Sequence, residues 1–224
     1  EYRRQRQMCI RDSLKTFQQC PRKYYHLKVA QDVVDRPHEA ALYGSAVHKA
    51  AEEYVRDGVP IPKKFGYMQP ILDNLMQIPG ERFCELELGI TQALEPCAFK
   101  APDVWWHGIV DLLIVDEESG VAHMVDYKTS KSARYADTKQ LDLMAIGVFA
   151  KYPKINKIKS ALLFVVSNDI VKKVHDREAL EQYIAPVRVD LARLNKAMET
   201  EVWNTVTGPL CRFCPVRMCE YNRS

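Results

Sequence analysis

No apolar run in this 224-residue chain approaches the roughly 20 residues a bilayer-spanning helix needs, which excludes a helical membrane span. No cationic segment leads into an apolar one near the start, so a secretory leader is not expected, and a first residue Glu1 reads as a trimmed end. Internal repeats and low-complexity linkers are missing, which leaves one well-buried core as the expected organisation. The net charge of +3 is too small to mark a nucleic-acid partner, and no flavin or nicotinamide motif is present. The seven cysteines are odd in number and not spaced as a secreted disulfide framework, so a reducing, cytoplasmic setting is expected.

What is there is unevenly placed. Residues 1–36 hold nine Lys/Arg against four acids, a basic arm before a mildly acidic remainder. Such a run is commonly a solvated helix face, and phosphate contact is the functional reading. Cys9, Cys84 and Cys97 are scattered, whereas Cys211-x2-Cys214-x4-Cys219 forms a tight group around Pro215.

The chemistry concentrates in two apolar runs, residues 108–115 and 125–129, which read as interior strands yet carry Asp111, Asp126 and Lys128. Interiors do not hold such charges without partners. Alternation along a strand places Asp126 and Lys128 on one face and Tyr127 on the other. A turn at Ser119-Gly120 would set Asp111 beside Asp126 in a hairpin. A cross-strand ion pair is the plain reading of Asp126-x-Lys128. The second acid in the neighbouring run adds another, because adjacent carboxylates repel unless a cation lies between them, and hard oxygen ligands suit magnesium or manganese.

Around these strands the pattern predicts helical turns from an N-cap at Ser13, an interruption at Cys20-Pro21, a polar loop over 29–39, and helices over 40–55 and 67–77. A strand over 83–91 precedes the two central ones. A helix over 137–152 presents Leu141, Met144, Ala145 and Val148 with Gln140 beside them, strands follow over 160–167 and 170–175, and a long amphipathic helix runs over 176–202. The order describes an α/β domain with a mixed central sheet flanked by helices, and the helix between the strands at 129 and 160 is a crossover.

Several stretches together resemble the PD-(D/E)XK nuclease superfamily, and within it the RecB-like and Cas4-like exonucleases, phage recombination exonucleases included. They are residues 13–25 around Cys20-Pro21-Arg22-Lys23-Tyr24-Tyr25, Gly44-Ser45-Ala46-Val47-His48, Gly108-Ile109-Val110-Asp111, Val125-Asp126-Tyr127-Lys128-Thr129, Gln140-Leu141 and the terminal cysteines. The resemblance implies a restriction-endonuclease-like core. It implies His48, Asp111 and Asp126 as metal ligands with the Tyr127 carbonyl, and Lys128 as the residue that orients the attacking water. Glu85 stands where the family often places a further acid, with Glu87 competing for the role, and Gln140 matches the glutamine of a QxxxY motif in which Met144 replaces the tyrosine. Cys20, Cys211, Cys214 and Cys219 resemble the ligands of a 4Fe-4S cluster, a set that would serve structural zinc as well.

The resemblance further implies a Mg/Mn-dependent deoxyribonuclease, an exonuclease of DNA recombination or repair in a bacterial or phage-infected cell. Its organisation would be a single nuclease domain over 1–224, with a basic helical segment over 1–36 and a cysteine tail over 203–224 docking on that segment. Arg22, Lys23, Lys131, Arg134 and Lys139 are candidates for phosphate contact, and Trp105, Trp106 and Tyr135 for base stacking, with core packing the commoner role of a tryptophan. Single- or double-stranded DNA is the expected partner, with a single-strand annealing or single-strand-binding protein and a homo-oligomer as further candidates. A catalytically idle DNA-binding scaffold and a redox protein are the alternatives. Intact Asp111, Asp126 and Lys128 argue against the first, and the missing redox motif against the second.

Overall fold

A computed structural model describes residues 10–34, 39–134 and 136–222, with side chains from residue 14 onward in the first stretch. The chain forms two compact units, one of residues 37–184 and one combining 1–36 with 185–224.

The larger unit is a five-stranded mixed sheet in the order β1-β2-β3-β4-β5. Its strands are β1 (Glu81–Ile90), β2 (Trp106–Asp116), β3 (Val121–Lys128), β4 (Lys157–Phe164) and β5 (Asp169–Asp176). β2 and β3 form the expected hairpin, with Leu112 opposite Val125 and Gly120 at φ +69° in the connecting turn, a left-handed conformation that suits glycine. β3 and β4 run parallel, joined through helix α5 (Lys139–Lys151), while β1 and β5 are antiparallel to their neighbours.

Helix α3 (Glu39–Asp57) owes its place to an apolar stripe: Val47, Ala50, Ala51 and Val55 are buried in one core with Leu112, Ile114, Val125, Tyr127 and Leu163 of the sheet. Phe65 and Met68, from the 3-10 turn Lys63–Met68, and Leu72 of α4 (Gln69–Met76) complete that core. The expected helix over 67–77 therefore begins as a 3-10 turn. α5 is buried on more than the anticipated stripe, since Ile146, Gly147 and Phe149 join Leu141, Met144, Ala145 and Val148 in the interior. Trp106 explains part of this. A Cβ built on Gly147 would lie 2.6 Å from its ring and one on Gly108 2.7 Å, so the indole occupies the space two glycines leave. At 1% exposure Trp106 is a core residue, which removes it from the stacking candidates. α5 is also tied to β5: Asp142 pairs with Lys173 and accepts from the buried His175 at 2.8 Å, whose other ring nitrogen meets Ser160 Oγ at 3.2 Å.

The smaller unit contains α1 (Ile10–Gln19), α2 (Pro21–Tyr24), a π-helical turn Tyr25–Ala30 and most of α6 (Leu180–Thr200). α1 is already helical at Ile10, so Ser13 lies inside the helix and does not cap it. Cys20 interrupts the chain as expected, in extended conformation with Pro21 opening α2. The aromatic residues at the turn are sandwiched against the C-terminal segment: Tyr24 stacks on Trp203 at 5.8 Å and Tyr25 meets the same ring at 5.4 Å. The Arg22 amide donates to the Asn204 carbonyl at 3.2 Å. Among the described residues, no helix is long and apolar enough to cross a membrane.

Candidate metal centre

α3 and the first three strands of the sheet bring the charged residues of the apolar runs together. Asp111, at 8% exposure in mid-β2, accepts a hydrogen bond from the Tyr127 amide at 2.7 Å through Oδ2. This bond ties the carboxylate to β3 next to where the Leu112–Val125 pairing leaves off. Asp126, at 3% exposure, forms an ion pair with Lys128, as the i, i+2 spacing requires. Lys128 Nζ also donates to Gln140 Oε1 of α5 at 3.3 Å. Gln140 thus reaches the end of β3, whereas Met144 one turn later is fully buried.

His48 approaches from α3. Its Nε2 donates to the Tyr127 carbonyl at 3.0 Å, and its Nδ1 lies 3.3 Å from Asp111 Oδ2. Both ring nitrogens thus face acceptors. Burial works against the charged imidazole, but the Asp111 hydrogen bond and the charges of Asp111, Asp126 and Glu85 outweigh it and raise the His48 pKa. Gly44, one turn before His48, faces Thr129: a Cβ there would meet Thr129 Oγ1 at 3.4 Å, in ordinary contact.

Glu85 completes the group. Ligand atoms of His48, Glu85 and Asp111 all lie within 4.8 Å of one another, the one such group among the described residues. Asp126, which the sequence placed among the ligands, lies outside it and is engaged by Lys128. Glu87 is exposed and lies outside this group. The β1–β2 register sets Glu85 opposite Asp111, at the position the pairing leaves open between Cys84–Leu112 and Leu86–Val110, and Glu85 there has φ +49°, a left-handed conformation in the middle of a strand. The left-handed backbone has no sequence signal, since glutamate is not a residue that favours it.

Two carboxylates and an imidazole around one point, with a carbonyl oxygen bonded to the same imidazole, form a mixed oxygen and nitrogen donor set. Such a set fits manganese or magnesium, and the mutual repulsion of the acids is relieved by a cation. The adjoining cleft is lined by Ala41, Gly44, Ser45 and His48, then by Lys49, Glu52, Glu53 and Arg56 toward Glu85.

The remaining candidates lie elsewhere. Lys131 and Arg134 are exposed on the segment after β3, and Trp105 is half-buried before β2. Tyr135 lies outside the described residues. In the smaller unit, Arg22 is 3.9 Å from Glu220 and Lys23 is half-buried. Cys20, Cys211, Cys214 and Cys219 are free thiols. Cys20 Sγ accepts from the Val206 amide at 3.5 Å and Cys211 Sγ from the Gly208 amide at 3.3 Å. No three of these four sulfurs come within 4.8 Å of one another.

The model of the PD-(D/E)XK nuclease superfamily matches residues 12–219. No curated protein matches the chain. Among solved structures, a candidate exonuclease from Eubacterium rectale is similar at TM-score 0.55 and 15% identity, over 95% of this chain and 86% of that one, a likeness of fold. SSO0001 aligns at TM-score 0.43 and 13% identity, over 100% of this chain and 91% of that one.

Proposed function

The chain belongs to the PD-(D/E)XK nuclease superfamily, and from that membership we propose that it is a Mg- or Mn-dependent deoxyribonuclease, working as an exonuclease in DNA recombination or repair. The observation that carries this reading is the convergence of His48, Glu85 and Asp111 beside the Asp126–Lys128 pair. The likeness of fold to a candidate exonuclease supports the exonuclease mode.

In this reading His48, Glu85 and Asp111 hold the cation with the Tyr127 carbonyl, and Asp126 borders the site. The bound metal supplies charge neutralisation at the phosphodiester and a more acidic water. The protein's own groups do the rest. The Tyr127 amide and His48 fix the orientation of Asp111, so its carboxylate is pre-set rather than recruited. Asp126 and Gln140 hold the Lys128 ammonium on two sides, a compact positive charge that orients water and steadies the negative charge growing on phosphorus-bound oxygens. Lys131 and Arg134 contact backbone phosphates, and Arg22 and Lys23 do so on the other unit.

The reading extends to the cysteines, with Cys20, Cys211, Cys214 and Cys219 as ligands of a structural 4Fe-4S cluster that fastens the tail over 203–224 to the N-terminal segment. Tetrahedral zinc with bonds of about 2.3 Å would draw its sulfurs to about 3.8 Å from one another. The same four thiolates would serve either metal, and iron and sulfide analysis against zinc analysis of the anaerobically purified protein distinguishes them.

End-labelled single- and double-stranded DNA incubated with the protein and manganese, magnesium or EDTA tests the reading. Progressive shortening from one end with either metal and none in EDTA is expected. DNA that stays intact with both metals overturns it.

A further inference from the structure

Beyond the metal centre, α3 carries a feature that the proposed chemistry does not use. Tyr43 and Tyr67 are 41% and 39% exposed, and their hydroxyls are hydrogen-bonded to each other at 2.6 Å. One phenol comes from α3 and the other from the 3-10 turn Lys63–Met68, so the bond locks two ring systems from separate elements into one pair. Phe65 supports them from beneath: it is 2% exposed and meets the Tyr43 ring edge-on at 5.8 Å. Exposed tyrosines held in this way keep their ring faces available at little entropic cost, since the conformation is fixed beforehand.

Charge accompanies the rings. Lys63 and Lys64 are exposed on the same turn, with Lys64 Nζ 4.7 Å from the Phe65 centroid, and among the described residues neither is paired with a carboxylate. The acids of the adjoining cleft differ, because Glu52 is engaged by Arg56 and Glu53 by Lys49 at 3.7 Å. Position is the third observation. Tyr43 directly precedes Gly44 of the cleft lining and is five residues from His48, displaced by about 7.5 Å along the helix axis and about 140° around it, so a strand would pass over the helix from the cleft to the rings.

We propose that Tyr43 and Tyr67, flanked by Lys63 and Lys64, form a stacking platform for unpaired bases of a single DNA strand whose phosphate lies in the His48 cleft. Flat aromatic faces accept bases only where these are unstacked, as in a single strand or a frayed end, and the lysines answer the phosphates between them. The platform would make the protein prefer single-stranded ends. The proposal rests on the DNA-nuclease reading for the strand's destination, but its test is one of binding and does not need turnover.

The test measures the dissociation constant of the full chain for a fluorescent single-stranded oligonucleotide in EDTA, where no cleavage occurs. Y43A/Y67A is expected to weaken binding about 5- to 150-fold for each base that stacks, while Y43F/Y67F, which keeps the rings but loses the bond that orders them, falls between wild type and the alanine pair. K63A/K64A is expected to flatten the slope of log affinity against log salt by about 0.7 for each phosphate that the two lysines neutralise. Binding of a blunt duplex should respond much less to the tyrosine changes. Unchanged single-strand affinity in Y43A/Y67A, or equal losses for single strand and duplex, overturns the platform. If Y43A/Y67A does not fold, an unchanged salt slope in K63A/K64A overturns it instead. A wild type that cuts DNA while Y43A/Y67A binds normally removes the platform alone. A wild type that binds through the tyrosines but never cuts removes the nuclease reading alone.

Discussion

Glu85 bears two costs that an ordinary strand residue avoids: a left-handed backbone at φ +49° and a carboxylate held close to Asp111. The first costs about 1–2 kcal/mol for a residue with a Cβ, and the second is repulsive while no cation is bound. Both serve the ligand position. E85G should therefore raise the melting temperature of the protein in EDTA, because glycine takes this backbone freely. The same variant should lose the melting shift that manganese gives the wild type. An unchanged manganese shift in E85G would remove Glu85 from the ligands. Lys128 makes a contrasting case, since it lies outside the ligand group and is held by Asp126 and Gln140, so its removal strips the buried Asp126 of its cation without touching a ligand. K128A is expected to keep its manganese shift and lose about 10²–10³-fold in cleavage rate, measured in single turnover. Asp111, Asp126 and Lys128 stand out in the sequence because charges inside apolar runs break a pattern, whereas His48 is singled out only through the family resemblance. Glu85 and Glu87 share a parity, so alternation cannot separate them; the strand register does, setting Glu85 opposite Asp111 and Glu87 opposite Ile109.

Among the elements, α5 is the one whose packing the sequence understated. A stripe of four residues predicts one buried face, but the glycine-lined slot for Trp106 and the polar anchor at Asp142 bury the helix further. Slots of this kind arise from residues far apart in the chain, Trp106 and Gly147, and no local periodicity reports them. The anchor has a pH signature. Burial pushes the Asp142 carboxyl up, but hydrogen bonds from His175 and Lys173 and their charges outweigh it, so its pKa lies below the usual value. A carboxyl depressed on folding stabilises fully above its unfolded pKa, near 3.9, and that contribution fades as pH falls through the lower folded value. Denaturant titrations from pH 7 to pH 3 should show D142N less stable than wild type at neutral pH, with the gap narrowing in acid. A gap that stays constant across the range would rule the ion pair out as its source. The π-helical turn Tyr25–Ala30 was likewise outside what periodicity can show, whereas Pro21 marked the start of α2 plainly.

At the scale of the whole molecule, strand number and the mixed sheet followed from the order of apolar runs, and the one crossover helix indeed joins parallel strands. The division into two compact units, with α6 crossing from one to the other near Ile184, could not be read from composition because no linker marks it. The division bears on metal content. Every side chain proposed to hold the catalytic cation lies in the unit of residues 37–184, and all four cysteines proposed as cluster ligands lie in the other. If the proposed cysteine site is loaded in the wild type under anaerobic purification, C214S is expected to lose that iron or zinc while retaining its manganese-induced melting shift. Metal analysis and a melting curve on the same sample measure both. Loss of the two together would mean that the cysteine site and the carboxylate site are not independent.

Tyr127 points its ring into the core at 3% exposure and offers its backbone carbonyl to His48 and its amide to Asp111. The carbonyl belongs to every amino acid and the amide to every one but proline, so no other substitution deletes them, while almost any substitution disturbs the ring's packing. Mutational scanning would file position 127 with the hydrophobic interior. Its contribution to chemistry would come to light only through a change to the peptide bond itself, such as an ester in place of the amide.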